Sequence, residues 1–315
     1  MSASPRAIVL LGAQRFDPTL GSVVDALGVD GRIAVVTAGW QERESEDGEL
    51  SEHLGGRIIN LHLHARAEDV FQHDRELAAA HRKRQEVLRH KQDFYRIRLE
   101  HELEANHVIR QRKVPTEILE EEQAASIGAI RLLDEYHLGQ CRRVHLEFEE
   151  AMRPFERPRI ARHRRELAEI LAGCAALAIA GGHVATLLNR LRLFGIAELL
   201  DDQPIFAWSA GAMALTERVV LFHDNPPQGP GAAEVLDRGL GLAPNVVVLP
   251  HPETRLRLDD PERVGVLARR FAPALCLALP ARSHVTFENG AWRSPSCVTR
   301  LREDGTCSSF DGGPA

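Results

Sequence analysis

The chain has 315 residues, 44% of them hydrophobic and 27% charged, and a formal net charge of −6. That length buries a sizeable core, while the acidic balance is the wrong sign for a general nucleic-acid binder, which carries a basic face. No apolar run approaches the ~20 residues of a membrane helix. The five cysteines (Cys141, Cys174, Cys276, Cys297, Cys307) lack C-x-x-C spacing, so neither a disulfide framework nor a zinc site is expected, and a reducing cytoplasm fits.

In chain order, "RAIVLLGA" (6–13) has no basic segment before it and reads as a first strand rather than a signal peptide. It and "GRIAVVTAG" (31–39) are short, continuous apolar runs ending in small residues, the pattern of parallel strands covered on both faces. An acidic, turn-rich loop (42–56) leads to a strand candidate, "RIINLHLHA". Residues 66–138 are dense in helix formers, broken at Pro115, and are expected to form a helical insertion. A helix at about 157–172 precedes the strand "ALAIAGG", the helix "HVATLLNRLRLFGIAELL" and the strand-to-turn segment "PIFAWSAG". Further strand candidates are "VVLFH", "NVVVLPH", "ALCLALP" and "SHVTFENGAW", the last with an Asn289-Gly290 hairpin turn. Strands alternating with helices predict one α/β domain over 1–315, with a doubly wound, mostly parallel sheet.

Ser209 lies where the apolar strand "PIFAW" meets a helix start, with Ala207, Ala210 and Gly211 around it. A nucleophile elbow needs small neighbours because its turn is so tight; a serine there also serves as an ordinary helix cap. Gly181-Gly182 closes another strand just before a helix, which lets backbone approach a ligand closely, and is equally an ordinary strand-to-helix turn. In "NVVVLPHPETR", His251 and Glu253 stand at i, i+2, so extended backbone would turn both side chains the same way. A serine nucleophile needs an imidazole base and a carboxylate to orient it.

"AGGHVATLLNRLRLFG" followed by "IFAWSAGAMAL" resembles the serine peptidase family that includes dipeptidase E and cyanophycinase, whose members share a fold with class I glutamine amidotransferases. "LPHPE" is similar to the F-H-P-E that supplies histidine and glutamate to the amidotransferases' cysteine triad. The resemblance covers about 174–290 and the first two strands; the 66–138 insertion has no counterpart in it. It implies a flavodoxin-like, class I glutamine amidotransferase-like fold, with Ser209 as nucleophile, His251 as base, and Ala210 with Gly181 or Gly182 supplying an oxyanion hole. The chain departs from the pattern in three places. His183 follows the glycine pair where asparagine is usual. Pro280 and Ala281 stand where the peptidases tend to carry an acid, which leaves Glu253 as the third member in the amidotransferase manner. A serine replaces the amidotransferases' cysteine at the elbow.

These residues together predict a serine hydrolase that cleaves an amide bond, in a small peptide, with no cofactor and no metal. Arg255 and Arg257 follow His251 closely; Arg255 is expected to bind a substrate carboxylate and His183 to contact substrate. The alternative is a non-catalytic binding or scaffold protein that keeps the fold and acts through its helical insertion. That insertion would serve as a lid, a homo-oligomer contact or a partner-binding hairpin, and Val87, Leu88, Phe94, Leu99 and Leu103 are expected to pack. The histidines at 62, 64, 81, 90, 101 and 107 lack carboxylates at ligand spacing, so no metal site is expected there. The basic run at 153–166 reads as a solvated helix face, or as a site for phosphate or an acidic partner.

Overall fold

The computed structural model describes residues 7–224 and 231–314; Arg6 of the expected first strand lies outside them. The first strands and helices are β1 (Ile8–Leu11), α1 (Leu20–Ala26), β2 (Ile33–Val36), α2 (Gly48–His53) and β3 (Ile58–Asn60). Four helices follow: α3 (Leu63–His73), α4 (Arg75–Arg110), α5 (Thr116–Met152) and α6 (Pro158–Ala172). The alternating pattern returns with β4 (Ala176–Ile179), α7 (Val184–Leu193), β5 (Ile205–Trp208), α8 (Ala210–Leu215), β6 (Arg218–Leu221) and β7 (Glu234–Arg238). Then come β8 (Val246–Pro250), α9 (Pro252–Arg255), α10 (Pro261–Phe271) and β9 (Leu275–Leu279). The described chain ends in β10 (His284–Glu288), β11 (Ala291–Arg293), β12 (Thr299–Leu301), β13 (Cys307–Ser309) and β14 (Gly312–Pro314).

The main sheet has eight strands in the order β14-β11-β10-β1-β5-β4-β2-β3. The block β1-β5-β4-β2-β3 is parallel, and β10, β11 and β14 extend it antiparallel. Every residue of β1, β2, β4 and β5 is buried. Alternate residues serve opposite faces: Ile8, Leu10, Ala34 and Val36 join one core, while Val9, Leu11, Ile33 and Val35 join another against α1. A strand buried on both faces needs side chains without polar groups at every position, and these runs supply them. From β2 the chain steps outward to β3, and from β4 it steps the opposite way to β5. The crevice beyond the carboxyl ends of β2 and β4 is therefore a topological switch point, where open α/β sheets bind ligands.

The C-terminal strands are not all in that sheet. β8 and β9 pair in parallel inside a separate four-stranded sheet with β12 and β13, and β6 and β7 form a hairpin of their own. The single sheet expected from sequence is corrected here: β10 occupies the edge of β1 and leaves β8 no place beside it. The Asn289-Gly290 hairpin forms as expected, with both residues at positive φ (54° and 78°).

The helical segment is longer than the expected 66–138. It begins at Leu63 and α5 runs to Met152. α4 and α5, of 36 and 37 residues, lie against each other through a short connection at Pro115. Asp74 caps α4 by accepting from the Leu77 N–H at 3.0 Å. Of the residues expected to pack, Leu99 is buried and Leu103 partly so, whereas Phe94 is 69% exposed. The arm is tied to the body by a buried network around Arg270 of α10. Its guanidinium donates to both Asp134 carboxylate oxygens at 2.7 Å and to Tyr95 Oη at 2.7 Å. Tyr95 Oη in turn donates to Asp134 and accepts from the Val235 N–H at 3.1 Å. No helix among the described residues is long and apolar enough to cross a membrane.

Candidate active site

Ser209 sits between β5 and α8 with φ 50° and ψ −122°. A non-glycine residue rarely holds such a backbone, and doing so costs of order 1–3 kcal/mol. What fixes it there is close packing against the end of β4. A Cβ on Gly181 would lie 2.8 Å from Ser209 Cβ, and one on Gly211 would lie 2.3 Å from Ile179 O. The small residues around position 209 are thus a steric requirement of the turn. Ser209 precedes α8 without making a side-chain capping bond. Its Oγ instead lies 2.9 Å from His251 Nε2.

His251 follows β8 in left-handed backbone (φ 58°, ψ 46°) and turns directly into α9. Burial, with help from the Arg255 cation, pulls its imidazole below the usual range, against the opposing pull of Glu253. The extended geometry expected for His251 and Glu253 is corrected: Pro252 opens a helical turn, and Glu253 faces solvent with no hydrogen bond to His251. A proline's fixed φ suits the first residue of a helix, so the strand ends at once. Asp224, absent from the sequence expectations, steadies this turn. Its backbone N–H donates to Arg255 O at 2.7 Å, and its carboxylate accepts from the Arg257 N–H at 3.1 Å and from Arg263 at 2.6 Å.

Gly181 and Gly182 face the same crevice. Among the described residues, the N–H groups of Gly181, Gly182 and Ala210 have no acceptor. His183 donates its N–H to Gly39 O at 2.7 Å. Its ring caps α7 by accepting from the Thr186 N–H at 3.1 Å, and it lies outside the cavity lining. The loop after β2 closes the other side of the crevice. A Cβ on Gly182 would lie 2.3 Å from Gly39 O, and Gln41 (φ 59°, ψ −124°) nearly repeats the backbone of Ser209. Trp40 of this loop, with Trp208, Met213, Phe222 and Pro250, walls a cavity of about 400 Å³ around Ser209 and His251. Arg255 lines it too, with no carboxylate within ion-pair reach among the described residues. The Trp40–Gln41 loop was missed from sequence; its signal was the glycine that ends "TAG", the strand end neighbouring the glycine pair.

No protein-family profile matches the chain, and no curated protein does either. The chain is similar to a solved peptidase structure from an acI-B1 Actinobacterium, at 13% identity and a TM-score of 0.48 over 98% of this chain and 99% of that one.

Proposed function

We propose that the protein is a serine hydrolase that cleaves an amide bond in a small peptide through an acyl-enzyme, on a class I glutamine amidotransferase-like fold. The observation that carries this reading is the strained Ser209 with its Oγ 2.9 Å from His251 Nε2. The Ser209 hydroxyl donates to neutral Nε2 and attacks the carbonyl carbon as His251 takes the proton. Ala210 N–H and one N–H of the Gly181-Gly182 pair receive the oxyanion. His251 then protonates the departing amine, and a water molecule, deprotonated by the same nitrogen, hydrolyses the acyl-Ser209 ester. Glu253 supports the imidazolium by its charge, and Arg255 binds the substrate's carboxylate. A cavity of about 400 Å³ suits a peptide of a few residues rather than a folded protein.

The test is covalent labelling with a fluorophosphonate probe, beside Ser209→Ala and His251→Ala. Labelling of the wild type that vanishes in both variants is expected. A folded wild type that takes no probe refutes the reading.

A further inference from the structure

We propose that the protein carries a second binding site, for a small ligand bearing an oxyanion, in the cleft where α4 and α5 meet α7. The site is independent of the hydrolase reading and of the Ser209 cavity.

The observation that carries it is Arg84 of α4. The residue is only 9% exposed, yet among the described residues it forms no ion pair and no hydrogen bond, and its Nε is a buried donor without an acceptor. A buried charge is ordinarily paired, because removing it from water costs several kcal/mol that only a partner returns. The face of Phe148, 4.0 Å from the guanidinium carbon, returns part of that cost. The second cation at the site, Arg192, has its charge answered by Asp237 at 2.7 Å and offers Arg84 only repulsion. Arg84 and Arg192 both line a cavity of about 250 Å³ between the arm and α7.

The balance of charge in that cavity is positive. Of its acids, Asp237 is held by Arg192 and His145, and Asp93 pairs with Arg96, which also holds nearby Glu234. Arg89 lines the cavity as well and, like Arg84, has no acidic partner among the described residues. Two guanidinium groups without an ion pair among the described residues therefore line one small cavity, and Glu149 and Asp237 act on Arg84 only at longer range. An occupant with anionic oxygens complements Arg84 and Arg89, and a hydrogen phosphate or phosphate monoester carries them. Guanidinium forks match phosphate and carboxylate oxygens alike.

The experiment is isothermal titration calorimetry of the full chain with inorganic phosphate and, in a parallel arm, succinate, each at constant ionic strength set with chloride. Saturable binding is expected, with affinity reduced tenfold or more in Arg84→Met and several-fold in Arg89→Ala, and unchanged in Ser209→Ala. Arg89 is on the surface, so its variant tests the site even where Arg84→Met fails to fold. Binding of phosphate alone assigns the site to a phosphoryl group, and binding of succinate alone to a carboxylate. The absence of saturable binding by either anion overturns the proposal, as does an affinity that both arginine substitutions leave unchanged.

Discussion

Replacing Gly181 with alanine tests the geometry of the candidate site more directly than removing Ser209 does. The new methyl carbon would lie 2.8 Å from Ser209 Cβ and 3.5 Å from the Ala210 nitrogen. Non-bonded carbons settle at about 3.5–4.0 Å, so one of the two chains must retreat by roughly 0.7 Å or more. β4 is hydrogen-bonded between β2 and β5, so the retreat falls on the turn at Ser209. Moving Oγ by that amount stretches its 2.9 Å contact with His251 Nε2 beyond hydrogen-bond length. A misplacement of about 1 Å at a reacting atom costs on the order of 100-fold in rate. The expected result is a roughly 100-fold slower second-order rate of fluorophosphonate labelling, with destabilisation of only about 1–3 kcal/mol by urea unfolding. Labelling at the wild-type rate in a fully folded Gly181→Ala protein would show that the glycine does not hold the serine, and the steric argument would fail.

The His251 imidazole must be neutral to accept a proton, and burial and Arg255 hold its pKa below the usual value. The ascending limb of kcat/KM is therefore expected below the ordinary imidazole range of about pH 6.5. Arg255→Ala removes a charge that lowers the pKa and should move the limb up in pH; Glu253→Gln removes one that raises it and should move the limb down. Shifts in the same direction, or none, would contradict the electrostatic account of this turn. A stability prediction concerns the arm: the side chains of Arg270 and Asp134 are 2% and 1% exposed. Asp134→Leu should cost about 3–5 kcal/mol in urea unfolding by stranding the arginine, and Asp134→Leu with Arg270→Met should recover most of it. A single substitution that costs under about 1 kcal/mol would mean that the pair is not what fixes α5 to α10.

The elbow could be read from sequence because its cause is local. A turn of that tightness allows only small neighbours, and Ala207, Ala210 and Gly211 stand in consecutive view of Ser209. Gly181 was visible for the same reason, although its actual neighbour, Ser209 Cβ, is distant in sequence. Position 253 misled because proline at 252 was read as continuing an extended chain, whereas its fixed φ serves the first turn of α9 equally well. The expected bound at 138 falls just before Gly139, which does not end α5. It lies inside the helix with open space where a Cβ would point, so only the intrinsic cost of about 1 kcal/mol opposes it there. Asp224 has no local feature that distinguishes it, and the glycine before Trp40 is too common a strand ending to single out its loop. Each gains its place only once β2 lies beside β4, or the end of β6 lies beside the turn after β8.

The distribution of backbone strain ties these observations together. Ser209, Gln41 and His251 all hold positive φ, at 50°, 59° and 58°, on three loops that meet at one crevice. Each such residue costs of order 1–3 kcal/mol and persists only where its surroundings leave no alternative. Around Ser209 and Gln41 the surroundings are glycines: Gly39, Gly181, Gly182 and Gly211 bring the backbones so close that a Cβ on any of them would meet another backbone or Ser209 Cβ. The cost is thus borne where the chain leaves its strands, and the strands themselves are regular and fully buried. A structure that needed only a strand-to-helix turn would relax Ser209 into the ordinary capping geometry and give its hydroxyl a backbone N–H. Ser209 makes no such bond and presents its hydroxyl to His251 instead. Forgoing that capping bond leaves the hydroxyl where the proposed nucleophile needs it, within reach of an imidazole base.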